Sequence, residues 1–251
     1  MATESLVEPV PGAPAATADL GDETALVVAD YHAGIEIGLR YERGVELQSA
    51  AQQRRERLLG LLAGTDADRL VVLGDLGHRI GETEGIEREE IGDLLDAVAV
   101  PVTLALGNHD PGVAEAFDDR IEVTPSNGGR IGDVGVLHGH TWPSPAVLGA
   151  DVVCMGHEHA AVRLADEVGG TRVERAWLRG PLSRAAFADR VEIDEWGDPE
   201  LVVFPAFNER SGGTWVNVAG QSFLSPFLPD GLEGGEAYLL DGTRLGAYRA
   251  V

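Results

Sequence analysis

The 251-residue chain contains no lysine: all 19 of its basic residues are arginine, set against 42 aspartates and glutamates. A formal charge of −23 repels phosphate backbones, so the broad basic footprint of a duplex-binding protein is excluded. Cysteine is nearly absent as well. Cys154 alone excludes an intrachain disulfide framework and a multi-thiolate metal site. Its apolar surroundings, Asp151-Val152-Val153-Cys154-Met155, read as those of a buried structural thiol. No apolar run approaches the ~20 residues needed to cross a bilayer. The N-terminus lacks the basic segment and apolar stretch of a signal peptide. The expectation is a soluble, cytoplasmic protein with no membrane partner. Aromatic residues make up only 6% of the chain. Trp142, Trp177, Trp196 and Trp215 share no local pattern, which reads as packing and not as a base-stacking platform.

What the chain does contain is apolar mass and excess carboxylate. Its 44% hydrophobic content suits one large α/β domain or two small ones. With no fixed-period repeat and no linker, a single domain over residues 1–251 is favoured. Residues 1–20 are expected to be irregular, since Pro9, Pro11, Gly12 and Pro14 interrupt any pattern. The acidic excess fits a salt-adapted surface, hydrated by carboxylates while salt screens their repulsion.

Five short apolar runs each end in polar residues. Ala25–Ala29 leads into Asp30-Tyr31-His32, Leu70–Leu73 into Gly74-Asp75, and Val102–Leu106 into Gly107-Asn108-His109-Asp110. Val134–Leu137 leads into His138-Gly139-His140, and Val152–Met155 into Gly156-His157-Glu158-His159. Continuous runs of this length predict strands buried on both faces. Between them, Leu47, Ala51, Leu58, Leu61 and Leu62 predict one helix face, and Ile91, Leu94, Leu95 and Val98 another. Alternating strand and helix implies a sheet with crossover helices. After residue 160 the spacing shortens. Segments 161–165, 171–178, 191–196, 200–204 and 237–251 predict a second, more antiparallel sheet.

All seven histidines, His32, His78, His109, His138, His140, His157 and His159, fall in or beside these strand-end motifs. Ligands gather at the carboxyl ends of strands in doubly wound sheets. The mixed set of Asp, Asn and His donors suits manganese, iron or zinc better than magnesium or calcium. Glu36 and Glu158 lie near the motifs, and in so acidic a chain both read as solvated.

The five ordered blocks, spanning residues 30–159, resemble those of the calcineurin-like metallophosphoesterase superfamily. Pro205-Ala206-Phe207-Asn208 followed by Gly212-Gly213 further resembles an archaeal and bacterial branch that includes ligase-associated phosphoesterases. The resemblance implies an α/β fold, a two-sheet αββα sandwich, and two divalent metals, manganese first with iron or zinc as alternatives. Asp30, His32 and His159 would hold one metal, and Asn108, His138 and His157 the other, with Asp75 bridging. A metal-bridging hydroxide would attack the phosphorus. His109 would protonate the leaving alkoxide; Asp110 is a candidate to orient it, with a solvated turn carboxylate as the alternative reading.

His78, Arg79 and His140 are candidates for substrate contact or outer support, and Arg184 and Arg210 are looser ones. His78 stands where related protein phosphatases carry aspartate, which disfavours that activity. The expected activity is hydrolysis of a small phosphoester, nucleotides included, with diesters preferred. The alternatives are a nuclease for single-stranded or damaged nucleic acid, which the net charge does not favour, and a non-catalytic scaffold.

Overall fold

The computed structural model describes residues 5–166, 168–193 and 195–251. Its first sheet is built from β1 (Val7–Pro9), β2 (Ala15–Asp19), β3 (Thr24–Val28), β4 (Arg69–Val72), β5 (Val102–Ala105) and β6 (Glu122–Thr124), in that spatial order. Strands β3 to β6 pair in parallel. Their connections carry helices α1 (Ile35–Arg43), α2 (Ala51–Thr65), α3 (Gly85–Ala97) and α4 (Pro111–Ala116).

The second sheet continues with β7 (Gly129–Ile131), β8 (Val134–Leu137), β9 (Val152–Met155), β10 (Ala161–Ala165), β11 (Thr171–Pro181), β12 (Glu200–Val203), β13 (Glu236–Leu239) and β14 (Arg244–Ala247). Its path is β14-β13-β11-β12-β9-β8-β7, with β10 pairing β11. Short helices α5 (Pro145–Leu148) and α6 (Arg184–Phe187) accompany it.

The two-residue period of a strand sorts each apolar run between two cores. In β3, Leu26 and Val28 join Leu58 of α2 and Ile91 and Leu94 of α3. Val27, between them, faces the other way and meets Val136, Cys154, Trp177 and Val202 of the second sheet. In β9, Val152 and Cys154 face that shared interior, while Val153 and Met155 pack outward with Leu148 and Phe187. Helix, sheet, sheet and helix thus form the expected αββα sandwich. Among the described residues no helix is long and apolar enough to cross a membrane.

Several expectations fail. The described part of the N-terminal segment is not irregular: β1 and β2 form an antiparallel hairpin on the edge of the first sheet. Pro9 fits because an edge strand tolerates a residue without an N–H, and Gly12 turns the chain at φ 75°. Leu47 precedes α2 and is exposed, so it is not on the helix face. Arg54, which falls between the apolar positions of α2, is nevertheless buried. Residues 191–193 and 195–196 form no strand, and the remaining position, 194, lies outside the described residues.

Candidate metal centre

Backbone strain marks the site before any side chain is considered. Among the described residues, seven non-glycine positions have positive φ, and five of them are Asp30, His32, Asp75, His157 and His159. Left-handed conformations are costly for residues with a Cβ and collect where function requires an abrupt turn. Here each strand ends and its chain turns within a few residues, which aims alternate side chains, Asp30 with His32 and His157 with His159, at one point.

Those side chains converge. His32 Nε2 and His159 Nε2 are 3.2 Å apart, and His159 Nε2 lies 3.3 Å from Asp30 Oδ1. Asp75 Oδ2 lies 4.0 Å from His32 Nε2 and 3.4 Å from His138 Nε2. His138 Nε2 is in turn 3.0 Å from His157 Nδ1 and 3.1 Å from Asn108 Oδ1. Two groups capable of holding a cation result: Asp30, His32, Asp75 and His159, and Asp75, His138 and His157. Donors bound to one cation at ~2.0–2.1 Å sit ~3–3.5 Å apart, so the donor spacing fits a divalent metal in each group.

The outward nitrogens settle which ring atom faces the centre. His32 Nδ1 donates to the Gly77 carbonyl at 3.3 Å, His138 Nδ1 to Leu73 at 2.9 Å, and His159 Nδ1 to Gly212 at 2.6 Å. Each leaves its Nε2 lone pair for the interior. Burial holds His32 and His157 neutral, pushing them down to about 3 and about 4. Burial opposes charge on His138 too, yet the Asp75 and Asp30 carboxylates outweigh it and raise that ring to about 9. The Asp75 and Asp30 carboxylates therefore favour positive charge beside them, as a cation site must.

Buried carboxylates of a second kind hold the loops and not the centre. Asp110 is fully buried and accepts from the backbone N–H groups of Asp75, Gly77 and Gly107 at 2.7, 3.2 and 2.9 Å. It ties the Asp75–Gly77 loop to the Gly107 loop, and burial raises its carboxyl to about 6. Glu87 accepts from the backbone of His78 and Arg79, and Glu90 from Gly34. Glu158, also fully buried, accepts from Leu224, Ser225 and the Thr214 hydroxyl. Arg54 bridges Glu36 and Glu90, and Arg210 reaches the same Glu36.

Glu36 and Glu158 are therefore not solvated, because backbone amides and arginines replace their water. Sequence reasoning passed over Glu87 and Glu90 altogether and placed Arg54 only among the positions between the apolar residues of α2. The signal for them was faint: charged residues spaced within otherwise apolar helix faces.

His109 does not receive its orientation from Asp110, whose oxygens serve those amides. Its Nδ1 donates to the His78 carbonyl instead, and its Nε2 lies 3.8 Å from Asp75 Oδ2. The His78 ring stacks on His109 with centroids 5.8 Å apart, and its Nδ1 lies 3.5 Å from His32 Nδ1. His140 is half-buried, 5.4 Å from the His138 ring by centroid, and belongs to neither cation group.

A cleft of about 200 Å³ opens over the cluster, with His78, Asn108 and His109 on its wall and Arg43 and Arg210 as its cations. Arg79 is exposed and Arg184 heads α6; neither lines this cleft. Pro205-Ala206-Phe207-Asn208 packs behind the Asp30-Tyr31-His32 loop. Asn208 Nδ2 donates to the Tyr31 and His32 carbonyls at 2.9 and 3.3 Å, and Phe207 stacks on Tyr31.

Residues 24–146 match the calcineurin-like phosphoesterase family. The match takes in Asp30, His32, Asp75, Asn108, His109 and His138, and ends before His157 and His159, which the fold brings in from β9. A solved structure of Pseudomonas putida nuclease MPE is 20% identical, with a TM-score of 0.54 over 95% of this chain and 100% of that one. Yfce, a phosphoesterase from E. coli, is 17% identical, with a TM-score of 0.41 over 89% of this chain and 97% of that one. No curated protein sequence matches significantly. Residues 24–146, just under half of the chain, thus match a calcineurin-like phosphoesterase domain, which supports a hydrolase of phosphoric esters.

Proposed function

We propose that the protein hydrolyses phosphodiesters at a dinuclear centre. The observation that carries this reading is the pair of donor clusters, each spaced for one cation, that share the Asp75 carboxylate. In the proposed assignment Asp30, His32 and His159 hold one metal, Asn108, His138 and His157 the other, and Asp75 bridges. A bound pair of divalent cations would neutralise phosphoryl charge and bring the pKa of a water near neutrality. The mixed nitrogen and oxygen donors favour manganese, then iron or zinc.

The chain's own groups do the rest. His109, held at Nδ1 by the His78 carbonyl, keeps Nε2 on the cleft wall to give a proton to the leaving alkoxide. Asp110, Glu87, Glu90 and Glu158 fix the loops, so the donors converge without reorganising during the reaction. Arg43 and Arg210 attract the ester's negative charge into the cleft. The diester preference draws on the branch-like segment ending in Asn208, which is bonded to the carbonyls of the first ligand loop.

Parallel assays with bis(p-nitrophenyl) phosphate and p-nitrophenyl phosphate in Mn2+ test the reading. Diester turnover exceeding monoester turnover supports it, and faster monoester turnover overturns the preference. No turnover of either with two metals bound would favour a scaffold.

A nuclease is the second reading, favoured by the nuclease among the structures of like fold and by the arginines at the cleft. Residues 1–251 are proposed to act as one domain, since the shared interior draws on both sheets. The −23 charge carried without lysine supports a salt-adapted protein.

A further inference from the structure

A second, larger cavity of about 400 Å³ lies beside the metal cleft, and Arg210 lines both. The metal cleft, at about 200 Å³, holds a phosphoryl group and little more, so the remainder of an ester must leave it. The neighbouring cavity falls within the ~300–1,000 Å³ typical of ligand pockets. Its wall is unlike the rest of this surface. Arg54, Arg57 and Arg210 line it together with Gln53, Asn208 and Glu209.

The charges there can be balanced residue by residue. Arg54 is spanned by Glu36 and Glu90, and Arg210 shares Glu36. Arg57 and Arg175 share a single carboxylate, Glu209, at 2.8 and 3.4 Å. Four guanidinium groups thus face three carboxylates, a positive excess inside a protein of charge −23. Glu209 is the exposed member, with 68% of its side chain open to solvent, so it competes with water for Arg57 and gives way to a stronger anion. Arg57 is pre-positioned by the Phe207 ring, over which its guanidinium sits 5.1 Å from the centroid. Phe207 in turn stacks on Tyr31 beside the ligand His32.

We infer that this cavity is a subsite for a second phosphate of the substrate. It would be bound by Arg57 and Arg210 once Glu209 is displaced, with Gln53 on the wall for the sugar or base between the phosphates. The substrate class is then a nucleotide or short oligonucleotide carrying phosphate on both sides of a nucleoside. In a surface that otherwise repels polyanions, the arginine-lined cavity is where such a chain gains purchase. The inference rests on the phosphoesterase reading of the adjacent cleft.

The test is calorimetric titration of the Mn2+-loaded protein with thymidine 3′,5′-bisphosphate and with each thymidine monophosphate. The bisphosphate is expected to bind at least ~10-fold more tightly than the better monophosphate, a difference of ~1.4 kcal/mol. Arg57→Gln should remove that advantage. Glu209→Gln, which frees Arg57 without deleting it, should enlarge the advantage several-fold, a gain that a merely structural role does not produce. Equal affinity for mono- and bisphosphate, or an advantage that survives Arg57→Gln, overturns the subsite. Absence of chromogenic ester turnover would instead remove the catalytic reading, and the titration decides the subsite either way.

Discussion

On one side of Asp75 the convergent atoms belong to Asp30, His32 and His159; on the other they belong to Asn108, His138 and His157. The first side has a carboxylate of its own and the second a neutral amide. Counting Asp75 as shared, the first offers a cation roughly three times the negative charge of the second. Conformation differs in the same direction. All three residues of the first side have positive φ, against only His157 of the second. The first side is also tied to the ionic brace, because Gly34, two residues past His32, donates to Glu90. Charge, strain and bracing therefore concentrate on one of the two proposed metal positions. The second position is expected to bind more weakly and to exchange its metal more readily.

The most damaging way to break this asymmetry is to remove what both sides use. Asp75→Asn should empty both positions and lower turnover well beyond the ~10–100-fold typical of losing an outer-shell partner. Metal analysis alongside kinetics checks it, and two retained metals would refute the bridge. His109→Ala should leave both metals bound while kcat falls ~10²–10⁴-fold. An unchanged kcat removes His109 from proton transfer.

Arg54→Met acts on one side alone. It leaves Glu36 and Glu90 buried without their main partner, for a loss of ~3–5 kcal/mol in denaturant unfolding. Metal affinity should weaken on the Asp30 side first, visible as the tighter of two binding constants. A smaller change sharpens the comparison from the other direction. Asn108→Asp supplies the missing carboxylate and should tighten the weaker metal about tenfold, ~1.4 kcal/mol, with the tighter constant barely moved. The smallest expected effect is global: melting temperature should rise by a few degrees from low to molar KCl as self-repulsion is screened. Greatest stability near zero salt would contradict salt adaptation.

The donor residues were legible because each follows an apolar run long enough to be a doubly buried strand. A strand's end is a fixed address in an α/β sheet. Chain order alone thus placed Asp30, Asp75, Asn108, His138 and His157 near one another. The supports were not legible. Asp110, Glu87 and Glu158 act on backbone N–H groups, which look the same in every residue, so nothing in the sequence names their partners. In a chain with 42 acidic residues a buried carboxylate does not stand out from a solvated one. The same limit hid Arg54, whose burial depends on Glu36 and Glu90 arriving from two other helices. The N-terminal hairpin was obscured by prolines that are harmless only because β1 is an edge strand.

Cys154 sits midway through β9 with its side chain in the interior shared by the two sheets, and burial raises its thiol to about 12. A thiol so placed is unreactive while the sheets are closed. Its rate of alkylation therefore measures how often the sandwich parts. The protein carries its own clock for that opening, free of background because it has no second cysteine. Timed with and without metal, the clock would show whether filling the centre at the strand ends also latches the two sheets together.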